Sequence, residues 1–294
     1  NGNLRWAKKI GDGNWSRQTV DGSAERVGVQ PSIARFANGN LVVAYRDMDD
    51  LSLKVALLLA DGWQIDRPDS PFPNGGHNAK VVAVGDEFHI LHAITVGQLD
   101  IESDGTLLQT IRNPAGQYAT AAFPDYAVGG SIGAASGSRG FFGVSRHLSR
   151  SALFGDSDGL YIYAGSPLAS QVFEQYGPAQ GRHTYRYTRL EVDPFGLPIT
   201  VFVDSFSGTL GNPGAAPICY WRARDSDVDR VPDEVEVELR TNPNLPDTDG
   251  DGRSDGEEIL VDGTDPLSDD ACRPVAEVCN GQDDDCDEQI DEGV

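Results

Sequence analysis

The chain is 294 residues long, 39% apolar and 23% charged, with 46 acidic against 23 basic residues and a net charge of −23. That length is ample for a packed core, and a pI near 4.4 with no basic stripe excludes nucleic acid and anionic membranes as partners. The charge is uneven: 25 of the acids but only 4 of the bases lie at or beyond Asp225, so residues 1–224, with 21 acids against 19 bases, are nearly neutral. Charge therefore divides the chain into a balanced body and an acidic tail.

In chain order, the body opens on a repeat. Leu4-Arg-Trp-Ala7 with Gly13-Asn-Trp15 recurs as Leu53-Lys-Val-Ala56 with Asp61-Gly-Trp63, an offset of about 48. Pro31-Ser-Ile-Ala with Asn38-Gly-Asn-Leu-Val-Val-Ala-Tyr45 is echoed by Ala79-Lys-Val-Val with Gly85-Asp-Glu-Phe-His-Ile-Leu-His92. It returns as Arg189-Leu-Glu-Val with Phe195-Gly-Leu-Pro-Ile-Thr-Val-Phe-Val203, and a longer, degenerate copy is expected over Ala121–Gln175. Each copy reads as short alternating strands between Gly, Asn or Asp turns. The glycine-rich stretch Gly129–Gly140 precedes no helix and reads as a loop or a small-residue strand. Units of this length with about four strands are propeller blades. The fold class expected is mainly β: a β-propeller-like repeat domain of four to five units over 1–224, then a small calcium-stabilised, loop-rich tail in two parts, 225–268 and 269–294.

The consensus resembles the blades of sialidase-like, or BNR-type, propellers, most fully over residues 30–64. The chain opens inside a blade, on a strand equivalent to Leu53–Ala56, and leaves the last blade at the equivalent strand Ile218–Arg224, which predicts further sequence before it and leaves room for further domains beyond either terminus; it shows no initiator Met or signal peptide. No run of 18 apolar residues predicts a membrane span. Sialidase chemistry would need clustered arginines, a Tyr–Glu pair and an acid/base Asp, but the F/Y-R-I-P signature is missing. The Asp-box survives only as fragments at Gly11–Trp15 and Asp61–Trp63. Other polar candidates are Arg46, Asp47, Asp49, His89, His92, Arg146, His147, Arg182 and His183; His89 and His92 project to opposite faces of a strand and make no common metal site. The body is thus expected to be non-enzymatic, its partner an unidentified surface glycan or protein.

The tail begins with aspartates on alternate positions. A twelve-residue oxygen-donor loop uses side chains at positions 1, 3, 5 and 9, a backbone carbonyl at 7, a bidentate Glu at 12 and Gly at 6. The second run fills them all: Asp247, Asp249, Asp251, Gly252, the Arg253 carbonyl, Asp255 and Glu258. The first run supplies Asp225, Asp227, Asp229, the Val231 carbonyl, Asp233 and Glu236, but Arg230 stands at the glycine position, which predicts a weaker or differently bent site. Proline in Thr241-Asn-Pro-Asn-Leu-Pro keeps an entering helix from forming, so only short helices follow the loops, around Asp233–Arg240 and Asp255–Val261.

This pattern, with Gly263-Thr264-Asp265-Pro266 after the second loop and Thr241-Asn242-Pro243 after the first, resembles the bacterial thrombospondin type 3 repeat; Arg230 and Asn242 are its departures. The resemblance implies a calcium-dependent spacer of an extracellular or surface-displayed bacterial protein, with Asp265 added to the ligand candidates. Cellulosomal dockerins also pair such loops, with longer helices and wider spacing.

Beyond Asp269 the segment Glu277–Gly293 resembles the short Cys/Asp motif of MopE type, which implies copper as a candidate ion, and departs from it at Glu288. With no His in the tail and the sole Met at position 48 of the body, copper is disfavoured, and the ligand spacing for zinc is missing. Asp283, Asp285, Asp287 and Asp291 reproduce loop positions 1, 3, 5 and 9, while position 12 falls on Val294. A third, weaker calcium site stapled by Cys279–Cys286 is one reading, and an acidic cystine knuckle without metal is the other. Cys219, Cys272, Cys279 and Cys286 leave the connectivity open, and cysteines so placed favour an oxidising compartment. Three functions follow: a recognition or adhesion body on a calcium-stiffened spacer, a glycan-active hydrolase of sialidase-like architecture, or a metal-sequestering surface protein.

Overall fold

The structure, a computed structural model, describes residues 3–11, 13–23, 26–68, 74–95, 105–151, 155–164, 171–176, 183–206 and 218–268, with backbone alone at 10, 95, 124–131, 146–151, 155–159, 171–176, 183–187 and 204–206. The chain divides into two compact units, Asn1–Arg222 and Ala223–Val294.

The first unit is built of antiparallel sheets that follow chain order. The first pairs β1 (Leu4–Ile10) with β2 (Asn14–Asp21), and the second joins β3 (Val27–Arg35), β4 (Leu41–Asp47), β5 (Ser52–Leu59) and β6 (Gly62–Asp66). A seven-stranded sheet follows: β7 (His77–Val84), β8 (Glu87–Thr95), β9 (Gly105–Arg112), β10 (Tyr118–Gly137), β11 (Gly140–Ser151), β12 (Gly155–Ala164) and β13 (Gln171–Tyr176). The last sheet is β14 (His183–Val192), β15 (Pro198–Phe206) and β16 (Ile218–Trp221).

Strand β10 spans 20 residues and does two jobs. Its Tyr118–Ala122 segment pairs with β9, and Ile132–Gly137 pairs with β11, so the seven strands form two four-stranded meanders that share one strand. The degenerate third copy and the glycine-rich stretch are therefore real strands. Small residues suit the position, because a Cβ on Gly133 would meet Val144 Cγ1 at 2.7 Å and the Leu190 backbone at 3.2 Å. The first strand of each blade lies beside the next: β7 packs against β3 and β10, and β10 against β14. This is a propeller-like arrangement of blades in series.

The repeat has a steric cause. Gly28 and Gly76, 48 residues apart, have φ of +83° and +80°, and an added Cβ would meet Leu4 Cα at 2.8 Å and Leu53 Cα at 2.9 Å. At the start of β3 and just before β7 the backbone thus crosses the preceding blade where only hydrogen fits.

The near-continuous apolar run Leu41–Tyr45 follows from two-sided burial. Val43 and Tyr45 pack with Leu4, Val27 and Ala56 on one face of β4. Val42 and Ala44 pack with Val55, Leu57, Val81, Phe88 and Ile90 on the other. Similar layers join Leu91, Leu107, Phe123, Ile132 and Phe141, then Val144, Leu160, Ile162, Leu190 and Phe202. Each large apolar side chain so buried contributes about 1.5–3 kcal/mol.

Among its described residues the second unit holds two short helices, α1 (Asp233–Leu239) and α2 (Asp255–Glu257), the latter running on into a π-helical turn at Glu258–Asp262. A continuous α-helix to Val261 is thus replaced by a widened turn. The cause is one extra residue. The α1 cap, Arg240, donates its N–H to Glu236 O four residues back, whereas Gly263 donates to Glu258 O five back. An insertion inside a helix is absorbed as a π turn, here directly after the position-12 glutamate.

Candidate metal centre

Both aspartate runs fold the same way, for the same local reasons. The first carboxylate of each accepts from the backbone three residues on: Asp225 Oδ1 from Val228 N–H (2.8 Å) and Asp247 Oδ1 from Gly250 N–H (2.7 Å). The second accepts from the third, Asp227 from Asp229 N–H at 3.3 Å and Asp249 from Asp251 N–H at 3.1 Å. The third accepts from position 7, Asp229 from Val231 N–H and Asp251 from Arg253 N–H, both at 2.8 Å. These side-chain-to-backbone turns are what Asp favours. They bring Asp225, Asp227 and Asp229 together, and Asp247, Asp249 and Asp251 together, with one ligand oxygen from each member of a triad within 4.8 Å of the others.

Position 6 takes the expected left-handed turn in both loops, at φ +89° for Arg230 and +100° for Gly252. Sequence reasoning missed a second such position: Val228 lies at +70° where the other loop has Gly250 at +83°. Positive φ at a β-branched residue is strained.

The ninth positions, Asp233 and Asp255, turn back onto their own loops. Asp233 accepts from Ser226 N–H (2.7 Å) and Oγ–H (2.8 Å), and Asp255 from Thr248 N–H (2.8 Å) and Oγ1–H (2.7 Å). The hydroxyl residue after the first Asp of each run is the signal for this brace. The twelfth positions are fully buried. Glu258 Oε1 accepts from Thr264 Oγ1–H at 3.3 Å. Both oxygens of Glu236 are buried with no hydrogen-bond partner, as is one oxygen each of Asp227 and Asp251. Burial, then the carboxylates of Asp227, Asp229, Asp255 and Asp233, push the Glu236 carboxyl up to about 7. Burial foremost, with the Asp227 and Asp225 carboxylates, also raises Asp229 against the opposing backbone N–H groups of Val231 and Gly256. Asp265 is exposed and caps a turn through Leu267 N–H (3.1 Å).

A buried carboxylate facing other carboxylates costs free energy unless a cation joins it. The donor set is entirely hard oxygen, which fits Ca²⁺. Asp225, Asp227, Asp229, the Val231 carbonyl and Glu236 would hold one ion, and Asp247, Asp249, Asp251, the Arg253 carbonyl and Glu258 another. Asp283, Asp285, Asp287, Asp291 and the cysteines at 272, 279 and 286 lie outside the described residues.

The polar candidates of the body are engaged structurally. Lys54 Nζ bridges Asp47 Oδ2 (2.9 Å) and Asp21 Oδ2 (3.2 Å), and Tyr45 Oη–H donates to the same Asp21 oxygen at 2.7 Å. Arg46 Nη1 lies 3.1 Å from His77 Nδ1, and Asp49 pairs with Arg26. His89 stacks on Phe141 and meets Gln109, while His92 accepts from Gly76 N–H through Nδ1 (3.0 Å) and meets Thr110 Oγ1 through Nε2 (2.9 Å). The two histidines have separate surroundings. The side chains of Arg146, His147, Arg182 and His183 lie outside those described. Cys219 is half-buried beside the Leu190–Phe202 layer.

Fold and site together define a mainly β, propeller-like body followed by a tail of paired calcium-type loops. Residues 247–268 match the bacterial TSP3 repeat, a family whose presence implies calcium binding. No curated protein matches the chain in sequence. Among solved structures the chain is similar to the intramolecular trans-sialidase of Ruminococcus gnavus, at 12% identity and TM-score 0.47 over 71% of this chain and 47% of that one. It is similar to the leech intramolecular trans-sialidase at 11% and 0.46, over 73% and 35%. The α-L-arabinanase of Penicillium chrysogenum is similar at 8% and 0.42, over 67% of each. The chain spans less than half the length of either trans-sialidase. At such identities the likeness concerns fold alone.

Proposed function

We propose that this chain is a secreted or surface-displayed bacterial protein whose tail is ordered by structural calcium. Its propeller-like body serves recognition or adhesion toward a glycan or protein ligand, without catalysis. The observation that carries the calcium reading is Glu236, fully buried and partnerless among four aspartates at the position where a bidentate ligand belongs. The extracellular assignment rests on the TSP3 match, because calcium is plentiful outside cells and extracellular modules work with dissociation constants of about 0.1–1 mM. The non-catalytic reading is supported by the ion pairs and hydrogen bonds that engage Arg46, Asp47, Asp49, His89 and His92 among the described residues. No helix among the described residues is long and apolar enough to cross a membrane.

The test is calorimetric titration of the full chain with calcium, and separately with copper, followed by circular dichroism before and after chelation. Saturable binding of two calcium ions with a gain of order is expected. A chain that ignores calcium, or holds copper against excess calcium, would sink the spacer reading.

A further inference from the structure

Taking the two loops as calcium sites, we infer that they form one coupled unit, in which Gly256 of the second repeat positions Asp229 of the first. Asp229 is the position-5 carboxylate of loop 1 and is 7% exposed. Its Oδ1 is held from within its own loop by Val231 N–H, but its Oδ2 accepts from Gly256 N–H at 2.8 Å, 27 residues further along. Gly256 offers no side-chain donor and lies between Asp255 and Glu258, the ninth and twelfth positions of loop 2. Its backbone also lies against that of loop 1, since a methyl group at Gly256 would run into the Asp229 carbonyl oxygen.

The rest of the second repeat fixes where Gly256 sits. Asp255 N–H donates to Pro246 O (2.8 Å), the Asp255 carboxylate grips Thr248, and Ser254 caps the turn by accepting from Glu257 N–H (3.1 Å). Thr248 Oγ1 in turn accepts from Asn242 N–H at 2.9 Å, in the segment that joins the two repeats. An ion in loop 2 draws Glu258 and the Asp247–Asp251 turn together, and Gly256 is carried with them. Asp229 is then aimed before calcium reaches loop 1. Because coupling is reciprocal, an ion in loop 1 must favour loop 2 by the same factor, here set at about tenfold within the usual 5- to 150-fold range.

The experiment is a calcium titration of the full chain followed by two-dimensional NMR, with the amides of Arg230 and Gly252 reporting loops 1 and 2 separately. Glu258→Gln, which disables loop 2, is expected to weaken loop 1 about tenfold, and Glu236→Gln to weaken loop 2 by an equal factor. Gly256→Ala should leave both loops able to bind but independent of each other. If Glu258→Gln and Glu236→Gln each leave the other loop's midpoint where it was, the coupling is wrong while the calcium sites stand. If neither amide of the unaltered chain responds to calcium, the calcium reading falls and the coupling with it. Should Gly256→Ala fail to fold, the reciprocal pair of glutamine variants still decides.

Discussion

Replacing Val228 and Arg230 together by glycine is expected to tighten loop 1. Both residues hold left-handed backbone, at φ +70° and +89°, which costs an L-residue about 1–2 kcal/mol each. Neither side chain offsets that strain by packing, because Val228 is 74% exposed and Arg230 is exposed as well. Glycine would remove the strain but enlarge the freedom of the unfolded chain, an opposing effect of about 0.4–1 kcal/mol per position. The net gain is about 1–2 kcal/mol for the pair, or about 5- to 30-fold in calcium affinity if the strain is borne only in the ordered loop. The reverse change in loop 2, Gly250→Ala with Gly252→Ala, should weaken that site, and for a purely conformational reason: an added Cβ at either glycine meets nothing within 4 Å. Calorimetry of the two double variants against the unaltered chain, at one ionic strength, measures both effects. An unchanged or weakened loop 1 in the double-glycine variant would refute the reasoning.

Glu236→Gln should invert its effect with calcium. In chelator the variant is expected to be more stable than the unaltered chain, since a buried charge among carboxylates is removed; in saturating calcium it should be less stable, and thermal melts under both conditions check this. The Glu236 carboxyl is raised to about 7 from an ordinary 4.5. In chelator its contribution is therefore fully present below pH 4.5 and is lost as pH rises toward 7. His92 acts oppositely: complete burial lowers its pKa to about 3 from 6.5. Above pH 6.5 it has no effect, and as pH falls below that value the unfolded chain gains a proton that the folded body refuses, costing about 1.4 kcal/mol per pH unit down to about 3. Urea unfolding of the body at pH 7 and pH 5 measures the loss.

Local pattern was enough to read much of this protein. The alternation of Asp225–Asp229 and Asp247–Asp251, the position-12 glutamates at 236 and 258, and the left-handed position of Arg230 are written within twelve contiguous residues, where side-chain-to-backbone bonds dictate the turn. The 48-residue recurrence likewise announces blades, because each copy repeats the same steric demand at Gly28 and Gly76. What sequence could not supply is any contact between distant segments. The Gly256–Asp229 bond, the joining of two blades through β10, and the pairing of Lys54 with Asp21 and Asp47 all join residues whose nearness no local periodicity encodes. The sequence alone determined which side chains face one another within a turn or along a strand; the tertiary structure decided which of those faces are shut away from water, and burial is what converts the Glu236 carboxylate from a solvated charge into a demand for a cation.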